Sequence, residues 1–232
     1  MKWRSLEESA HASDLRPLRQ IFADRKSVIA QYAPPETQAI HANAVAELKK
    51  LGLATSILPV GGRAPSFELP NHNGKLVASS DLLAHGRVVL CAIRGRWCPF
   101  CVGQMEAINQ IAPQIEAAGA RLVVISPQTV KQSSFMHDQH KLRFPLFSDA
   151  GNRVARQFGL VYRVGVEQES LYRRTFINLP NANGDDTWEL PIPATYILDR
   201  EGTVLYASAS EDYTERPEPL EILGFLEGKR EN

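Results

Sequence analysis

The chain has 232 residues, of which 44% are hydrophobic and 22% are charged, and this composition is typical of an ordinary globular protein. Its 26 basic and 26 acidic residues give a formal net charge of zero. Nucleic acids and anionic membranes attract proteins that have an excess of basic residues. Because this chain has no such excess, we expect it to bind no nucleic acid and no membrane.

The sequence also predicts no targeting or membrane segment. The opening residues MKWRSLEE place charges where a signal peptide has its apolar stretch. The longest apolar run of note covers only residues 88–93, and a membrane span needs about eighteen residues or more. We therefore expect a cytoplasmic protein.

Two helices are predicted before residue 58. Apolar residues at helical spacing begin near Ser13 and end where Pro34 and Pro35 follow each other. Pro35 can open a second helix, which Gly52 closes. We interpret residues 1–57 as an N-terminal helical extension, a hairpin arm, and residues 58–232 as the main domain.

Strands and helices alternate through the first half of the main domain. Asn73-Gly74 predicts a hairpin turn, and the apolar run 88–93 predicts a central strand that is covered on both faces. A helix over 99–118, kinked at Pro113, and a strand over 121–126 would complete a right-handed βαβ unit. The pattern indicates an α/β fold.

The second half of the domain is less regular. Short elements are predicted at 131–140, 144–147 and 152–158, but residues 165–191 show no sustained period. We interpret this stretch as an inserted loop with room for one short helix. A strand hairpin and a last helix follow, at 194–198, 204–207 and 220–226.

Cys98 and Cys101 stand between the predicted central strand and the long helix. A helix N-terminus offers free N–H groups and a positive dipole end, and both stabilise a thiolate. One turn apart, the two thiols face the same side and can form a reversible disulfide. Arg94 and Arg96 would lower the thiol pKa further, unless each is a surface ion-pair residue.

We expect no catalytic or metal-binding role for the remaining cysteine or for the histidines. Cys91 lies inside the apolar strand, where a cysteine acts as a small hydrophobe, so we expect it to be buried and unpaired. A zinc site would need a second ligand pair, which the sequence does not offer. We place His137 and His140 at the surface and predict no metal and no cofactor.

Four segments carry a resemblance to a known family. They read APSFEL at 64–69, RGRWCPFC at 94–101, ISPQ at 125–128 and WELPIPAT at 188–195. They resemble the peroxiredoxin-like branch of the alkyl hydroperoxide reductase and thiol-specific antioxidant (AhpC/TSA) family, over nearly all of residues 55–220. The resemblance implies a thioredoxin-like fold, in which helices flank a central mixed β-sheet.

The resemblance also implies roles for individual residues. Cys98 and Cys101 would form the catalytic pair. Pro193 looks like the cis-proline that faces the cysteines in thioredoxin-like folds, so we expect a cis peptide bond there and contact with the pair. The residues expected to support the pair are Arg94, Arg96, Trp97, Pro99 and Pro193.

This sequence departs from the peroxiredoxin pattern at two positions. Peroxiredoxins have a Thr or Ser three residues before the peroxidatic cysteine, and Cys98 holds that position here, which makes Cys101 the positional match. Their late-strand arginine is replaced by Pro193. The segment DYTER at 212–216 is also similar to the branch, and we assign it packing or oligomer contact.

Three functions follow from these features. The first is a thiol peroxidase that reduces hydroperoxides through a Cys98–Cys101 disulfide, which a thioredoxin-like or low-molecular-weight thiol reduces again. The second is a thioredoxin-like disulfide reductase, in which Cys98 is the more exposed, attacking thiol. The third is a redox-sensitive interaction protein without catalysis. The resemblance favours the peroxidase, and homodimer formation is left open.

Overall fold

The computed structural model describes residues 16–229. The predicted start of the first helix, at Ser13, lies outside the described residues. The helices, numbered in chain order, are α1 Leu18–Tyr32, α2 Pro35–Leu51, α3 Ser79–Leu83, α4 Pro99–Gln110, α5 Ala112–Ala117, α6 Val130–Gln139, α7 Arg153–Gln157, α8 Val166–Arg174, α9 Leu179–Asn183 and α10 Pro219–Leu226. The strands are β1 Glu68–Pro70, β2 Leu76–Ala78, β3 Arg87–Ala92, β4 Ala120–Ser126, β5 Leu146–Ser148, β6 Val161–Arg163, β7 Glu189–Pro191, β8 Ala194–Leu198 and β9 Val204–Ala209.

A five-stranded sheet in the order β5-β4-β3-β8-β9 forms the centre of the fold. The β3, β4 and β5 strands run parallel, whereas β8 is antiparallel to both of its neighbours. The predicted central strand is therefore confirmed, together with the mixed sheet flanked by helices. The carboxyl end of β3 leads directly to the cysteine segment.

The two faces of β3 pack into different apolar layers because its side chains alternate. Leu90 faces the layer that contains Phe158 and Tyr196. Val89 and Cys91 face the other layer, which the α4 helix covers. All three β3 residues are 0% exposed, so the strand that positions the cysteine segment is held from both sides.

Each N-terminal helix packs on a different helix of the main domain. The α1 helix contacts α4, and α2 contacts α8. Gly103 permits the first contact, since a Cβ atom at this position would lie 2.9 Å from the ring of Phe22. The helices predicted at both positions are present, but the extension packs on the domain through two separate contacts.

The prediction of an inserted loop at 165–191 is wrong. This stretch contains α8, α9 and β7, and β7 pairs with β6 in a small antiparallel sheet. Leu171, Leu179 and Leu190 are each at most 4% exposed. The elements are too short to show a sequence period, but they supply apolar side chains to the core.

The long helix predicted over 99–118 is divided at Ile111, whose backbone has φ −102° and ψ 5°. Pro113 lies in the first turn of α5, where its missing N–H needs no partner. The predicted kink is thus confirmed as a break two residues before the proline. None of the helices in residues 16–229 is long and apolar enough to cross a bilayer.

Candidate active site

Cys98 is the N-cap residue of α4, and Cys101 lies in its first turn. Pro99 occupies the first helical position, where a proline is pre-organised for the helix. The preceding loop turns back at Gly95, which has φ 140°, and a Cβ atom there would lie 2.9 Å from Trp97 Nε1. The sequence RGRWCPFC thus folds locally so that both sulfurs lie at the helix N-terminus.

Both sulfurs are enclosed by the protein. Cys98 is 1% exposed and Cys101 is 0% exposed. They belong to the same apolar layer as Phe22 and Phe100. The exposure expected for Cys98 as an attacking thiol is therefore not observed, because α1 and the aromatic side chains cover this end of α4.

Arg94 is a buried cation beside Cys98. Its side chain is packed in the core at 1% exposure, and its Nη1 lies 3.9 Å from Cys98 Sγ. Its Nη2 donates a hydrogen bond to the Tyr172 hydroxyl. The guanidinium also lies 4.7 Å from the ring centre of Trp97 and 4.3 Å from that of Tyr213. The alternative of a surface ion pair is therefore wrong for Arg94.

The Arg96 side chain packs against an aromatic ring of α6. Its guanidinium lies 4.3 Å from the ring centre of Phe135, and its backbone N–H donates to Gln128 Oε1 at 3.0 Å. Its charge is not among the main causes of the Cys98 pKa shift. The expected role of Arg96 in lowering the thiol pKa is therefore not supported, because its guanidinium packs on Phe135.

Arg216 takes the place that was expected for Arg96. Its Nη2 lies 3.6 Å from Cys101 Sγ, and its Nε donates to the buried Gln104 Oε1 at 2.7 Å. Arg216 follows Cys101 by 115 residues, in the loop between β9 and α10. The only signal in the sequence was the similarity of segment 212–216 to the family branch, and it gave no chemical role.

The two thiols have opposite pKa shifts. Burial raises the pKa of Cys98, but hydrogen bonding from Cys101 and the charges of Arg94 and Arg216 outweigh it and lower this pKa to about 5. Burial and the neighbouring Cys98 sulfur raise the pKa of Cys101 well above its ordinary value. These directions favour the thiolate at Cys98 and the protonated thiol at Cys101.

Cys91 is 0% exposed and unpaired, as predicted. Its Sγ lies 3.8 Å from Thr195 Oγ1 across the β3–β8 pair. Burial raises the pKa of this thiol to about 11. Cys91 thus has the properties of a neutral core residue.

The cis bond predicted at Pro193 is wrong, since none of the peptide bonds in residues 16–229 is cis. Pro193 immediately precedes β8, where a trans proline is an ordinary strand-initiating residue, and its carbonyl accepts from Ser210 N–H at 3.3 Å. It lines a cavity of about 270 Å³ together with Arg216. Pro193 and Arg216 thus line the same cavity, and Arg216 in turn contacts the Cys101 sulfur.

The histidines are divided between two environments. The His140 side chain is 5% exposed, and its Nδ1 lies 2.9 Å from Glu106 Oε1, so its predicted surface position is wrong. His137 is partly exposed and stacks on His72 at 3.6 Å. In the part of the chain that the structure describes, no group of three or more His, Cys, Asp or Glu residues could hold a metal ion.

Comparisons with known proteins agree with the family resemblance. The model of the AhpC/TSA family matches residues 60–207. A putative peroxiredoxin bcp of Coxiella burnetii is 28% identical over 123 residues, 52% of this chain and 81% of the relative. A thiol-disulfide oxidoreductase ResA of Bacillus thuringiensis subsp. konkukian is 20% identical over 163 residues, 69% of this chain and 76% of the relative.

A solved structure is similar in fold. The crystal structure of peroxidoxin BcpB from Mycobacterium tuberculosis has a TM-score of 0.59 and 23% identity, and the match covers 75% of this chain and 99% of that one. This likeness confirms the predicted thioredoxin-like α/β fold.

Proposed function

Because the chain belongs to the AhpC/TSA family, we propose that it is a thiol-dependent peroxidase that reduces hydroperoxides with Cys98 and Cys101. The observation that carries the proposal is the position of Cys98 Sγ at the N-terminus of α4, 3.9 Å from the Arg94 guanidinium and one turn from Cys101, where a thiolate is stabilised. A thiolate is the reactive form of cysteine towards peroxides. A second thiol one turn away can then complete the reaction within one chain.

The catalytic cycle has three steps. The Cys98 thiolate attacks one oxygen of the hydroperoxide, the O–O bond breaks, and the departing alkoxide or hydroxide takes up a proton. Cys98 becomes a sulfenic acid, which condenses with the Cys101 thiol to release water and form the disulfide. Two external thiol equivalents then restore the dithiol and are themselves oxidised to a disulfide.

The test is peroxide consumption by the reduced protein in stopped flow. We expect one equivalent of hydroperoxide to be consumed per protein and two thiols to be lost. Cys98→Ser removes this reaction, whereas Cys91→Ala retains it because that residue is a core side chain 3.8 Å from Thr195. Consumption that survives in Cys98→Ser would refute the assignment.

A protein disulfide reductase is the second candidate. The order of the two pKa values favours it as well, since a low pKa at Cys98 and a high pKa at Cys101 suit attack on a disulfide followed by resolution. Similarity to the ResA relatives points in the same direction. Insulin reduction by the same preparation separates the two, since rapid turnover of insulin without peroxide consumption selects the reductase.

Two further assignments are predictions. The electron donor is a thioredoxin-like protein or a low-molecular-weight thiol, and the compartment is the cytoplasm. Homodimer formation is left open. Size-exclusion chromatography with light scattering tests the homodimer directly. Fractionation of cells that express the tagged chain tests the compartment.

A further inference from the structure

Arg94 has an unusual charge environment for a buried cation. Its neighbours include the hydroxyls of Tyr172 and Tyr162 and the rings of Trp97 and Tyr213, all of them neutral. Within residues 16–229, Arg94 forms no ion pair with a carboxylate. The Cys98 thiolate, 3.9 Å from Nη1, is therefore its anionic partner.

Disulfide formation removes this partner. Arginine stays protonated inside proteins, so the Arg94 charge remains buried when the sulfurs become neutral. A buried charge without a counter-ion is strongly unfavourable. Arg216 is less affected, since it is only partly buried and its Nη2 contacts the sulfur of Cys101, which is the protonated thiol of the pair.

The disulfide adds little stability to compensate for the unpaired buried charge. A bond between Cys98 and Cys101 closes a very short loop, and the chain entropy that a disulfide removes from the unfolded state is smallest for short loops. The balance of charge and entropy therefore favours the reduced form. A disulfide whose reduced form is stabilised in this way is a strong oxidant.

Access to the sulfurs is narrow. Both are at most 1% exposed, and Arg216 forms part of the wall between Cys101 and the cavity of about 270 Å³. The cavity is near the lower limit of small-molecule sites, about 300 Å³. Ser208, Ser210 and Pro193 also line it. Its dimensions suit a small solute, and Arg216 is the side chain that connects it to the Cys101 sulfur.

From these observations we infer that the Cys98–Cys101 disulfide is strongly oxidising, and that a small monothiol entering the Arg216 cavity is its reductant. This inference rests on the proposed peroxidase function and names its electron donor. A first monothiol attacks one sulfur to form a mixed disulfide, and a second one releases it. The disulfide and two monothiols thus yield the Cys98 thiolate, the Cys101 thiol, one oxidised thiol dimer and one proton.

The first experiment measures the redox equilibrium of the full chain in glutathione buffers. The disulfide is formed beforehand with diamide, so the result does not depend on peroxide activity. We expect Arg94→Met to shift the equilibrium constant at least tenfold towards the disulfide, which corresponds to about 30 mV. Arg96→Met is the matched control and leaves the constant unchanged, since its side chain lies on Phe135. An unchanged constant in Arg94→Met would overturn the inference.

The second experiment needs no variant. Thermal unfolding of the unsubstituted protein is compared between its reduced and disulfide forms at neutral pH. We expect the disulfide form to unfold at the lower temperature, which is the reverse of the usual effect of a disulfide. A higher unfolding temperature for the disulfide form contradicts the inference even if Arg94→Met does not fold.

The third experiment compares reductants on the diamide-oxidised protein, with glutathione and a thioredoxin as probes. We expect millimolar glutathione to reduce the pair completely and thioredoxin to react at least tenfold more slowly per thiol. Reduction by thioredoxin alone would overturn the assignment of a small monothiol. Failure of the protein to consume peroxide would instead refute the proposed function and leave these three results standing.

Discussion

Cys98 and Cys101 compete for the role of attacking sulfur, and the family pattern and the charges disagree about which one acts. The pattern matches Cys101 to the peroxidatic cysteine, whereas Arg94 and the helix N-terminus hold the negative charge on Cys98. We expect Cys101→Ser to retain a sulfenic acid at Cys98 after one equivalent of hydroperoxide. Dimedone labelling followed by peptide mass spectrometry measures it. A label on Cys101 in Cys98→Ser, with none in Cys101→Ser, would favour the family pattern.

The pH dependence of the reaction follows from the Cys98 pKa. The pKa of about 5 means that the thiolate is fully formed at neutral pH and is lost as the pH falls through about 5. We expect the rate of peroxide consumption to be constant above about pH 6 and to decrease below it. In Arg94→Met the decrease begins at least about one pH unit higher, because the nearest positive charge is gone. Identical profiles in both proteins would contradict this cause.

Reduced and oxidised proteins should also differ in how their stability depends on pH. The Cys98 pKa is depressed in the folded state, from an ordinary 9.0 to about 5. The stabilisation by the thiolate is therefore complete above about pH 9 and is lost as the pH falls through about 5. Urea unfolding of both forms from pH 5 to 8 measures it, and we expect their difference to shrink towards pH 5.

Local sequence was sufficient to find the cysteines but not their second arginine. Cys98, Cys101 and Arg94 lie within a few residues of one another, so the strand-to-helix position alone brings them together. Arg216 reaches Cys101 from a loop 115 residues away. No local period or spacing encodes such a contact, since it depends on the path of β9 across the sheet. The contact of the Arg96 side chain could not be predicted from local sequence either, because its partner Phe135 lies in α6.

The contact between α1 and α4 depends on a helical glycine. A Cβ atom on Gly103 would meet Phe22 Cε1 and Arg25 Nη1, each at 2.9 Å. We expect Gly103→Ala to destabilise the protein by about 1–3 kcal/mol, since overpacking outweighs the gain in helix propensity. Urea unfolding measures the change.

Gly224 provides the matched control for this substitution. It also lies in a helix, α10, but its added Cβ atom would meet only the Lys229 carbonyl at 3.7 Å. We expect Gly224→Ala to leave the stability unchanged or raise it by up to about 1 kcal/mol. Equal effects at both glycines would mean that the α1–α4 contact is not tight in solution.

Element length decided which parts of the fold were visible in the sequence. The α2 helix and β3 have long, uniform patterns and were predicted within a residue or two. The α9 helix and β7 have five and three residues, which is too short for a period to appear. Their positions are set by tertiary burial, as Leu179 and Leu190 show at 1% and 0% exposure.

The cysteine site is assembled from both ends of the chain. Arg25 of α1 donates to the Pro99 carbonyl at the start of α4, and the Phe22 and Phe100 rings meet edge to face at 5.1 Å. From the other end, Tyr213 lies over Arg94 at 4.3 Å. We retain residues 1–57 and 58–232 as the proposed division of the chain, with a site that both parts enclose.

This arrangement predicts that the N-terminal helices unfold together with the sheet. Leu18 and Phe22 of α1 share one apolar layer with Val89 of β3 and with both active-site sulfurs, so opening α1 alone would expose that layer to water. We expect native-state hydrogen exchange to give the amides of α1 and β3 the same opening free energy within about 1 kcal/mol. Phe22→Ala, which removes a side chain of 3% exposure, should lower that free energy by about 3–5 kcal/mol in both elements. Loss of protection confined to α1, with β3 unchanged, would mean that the extension folds and unfolds independently and that the cysteines lose their cover in doing so.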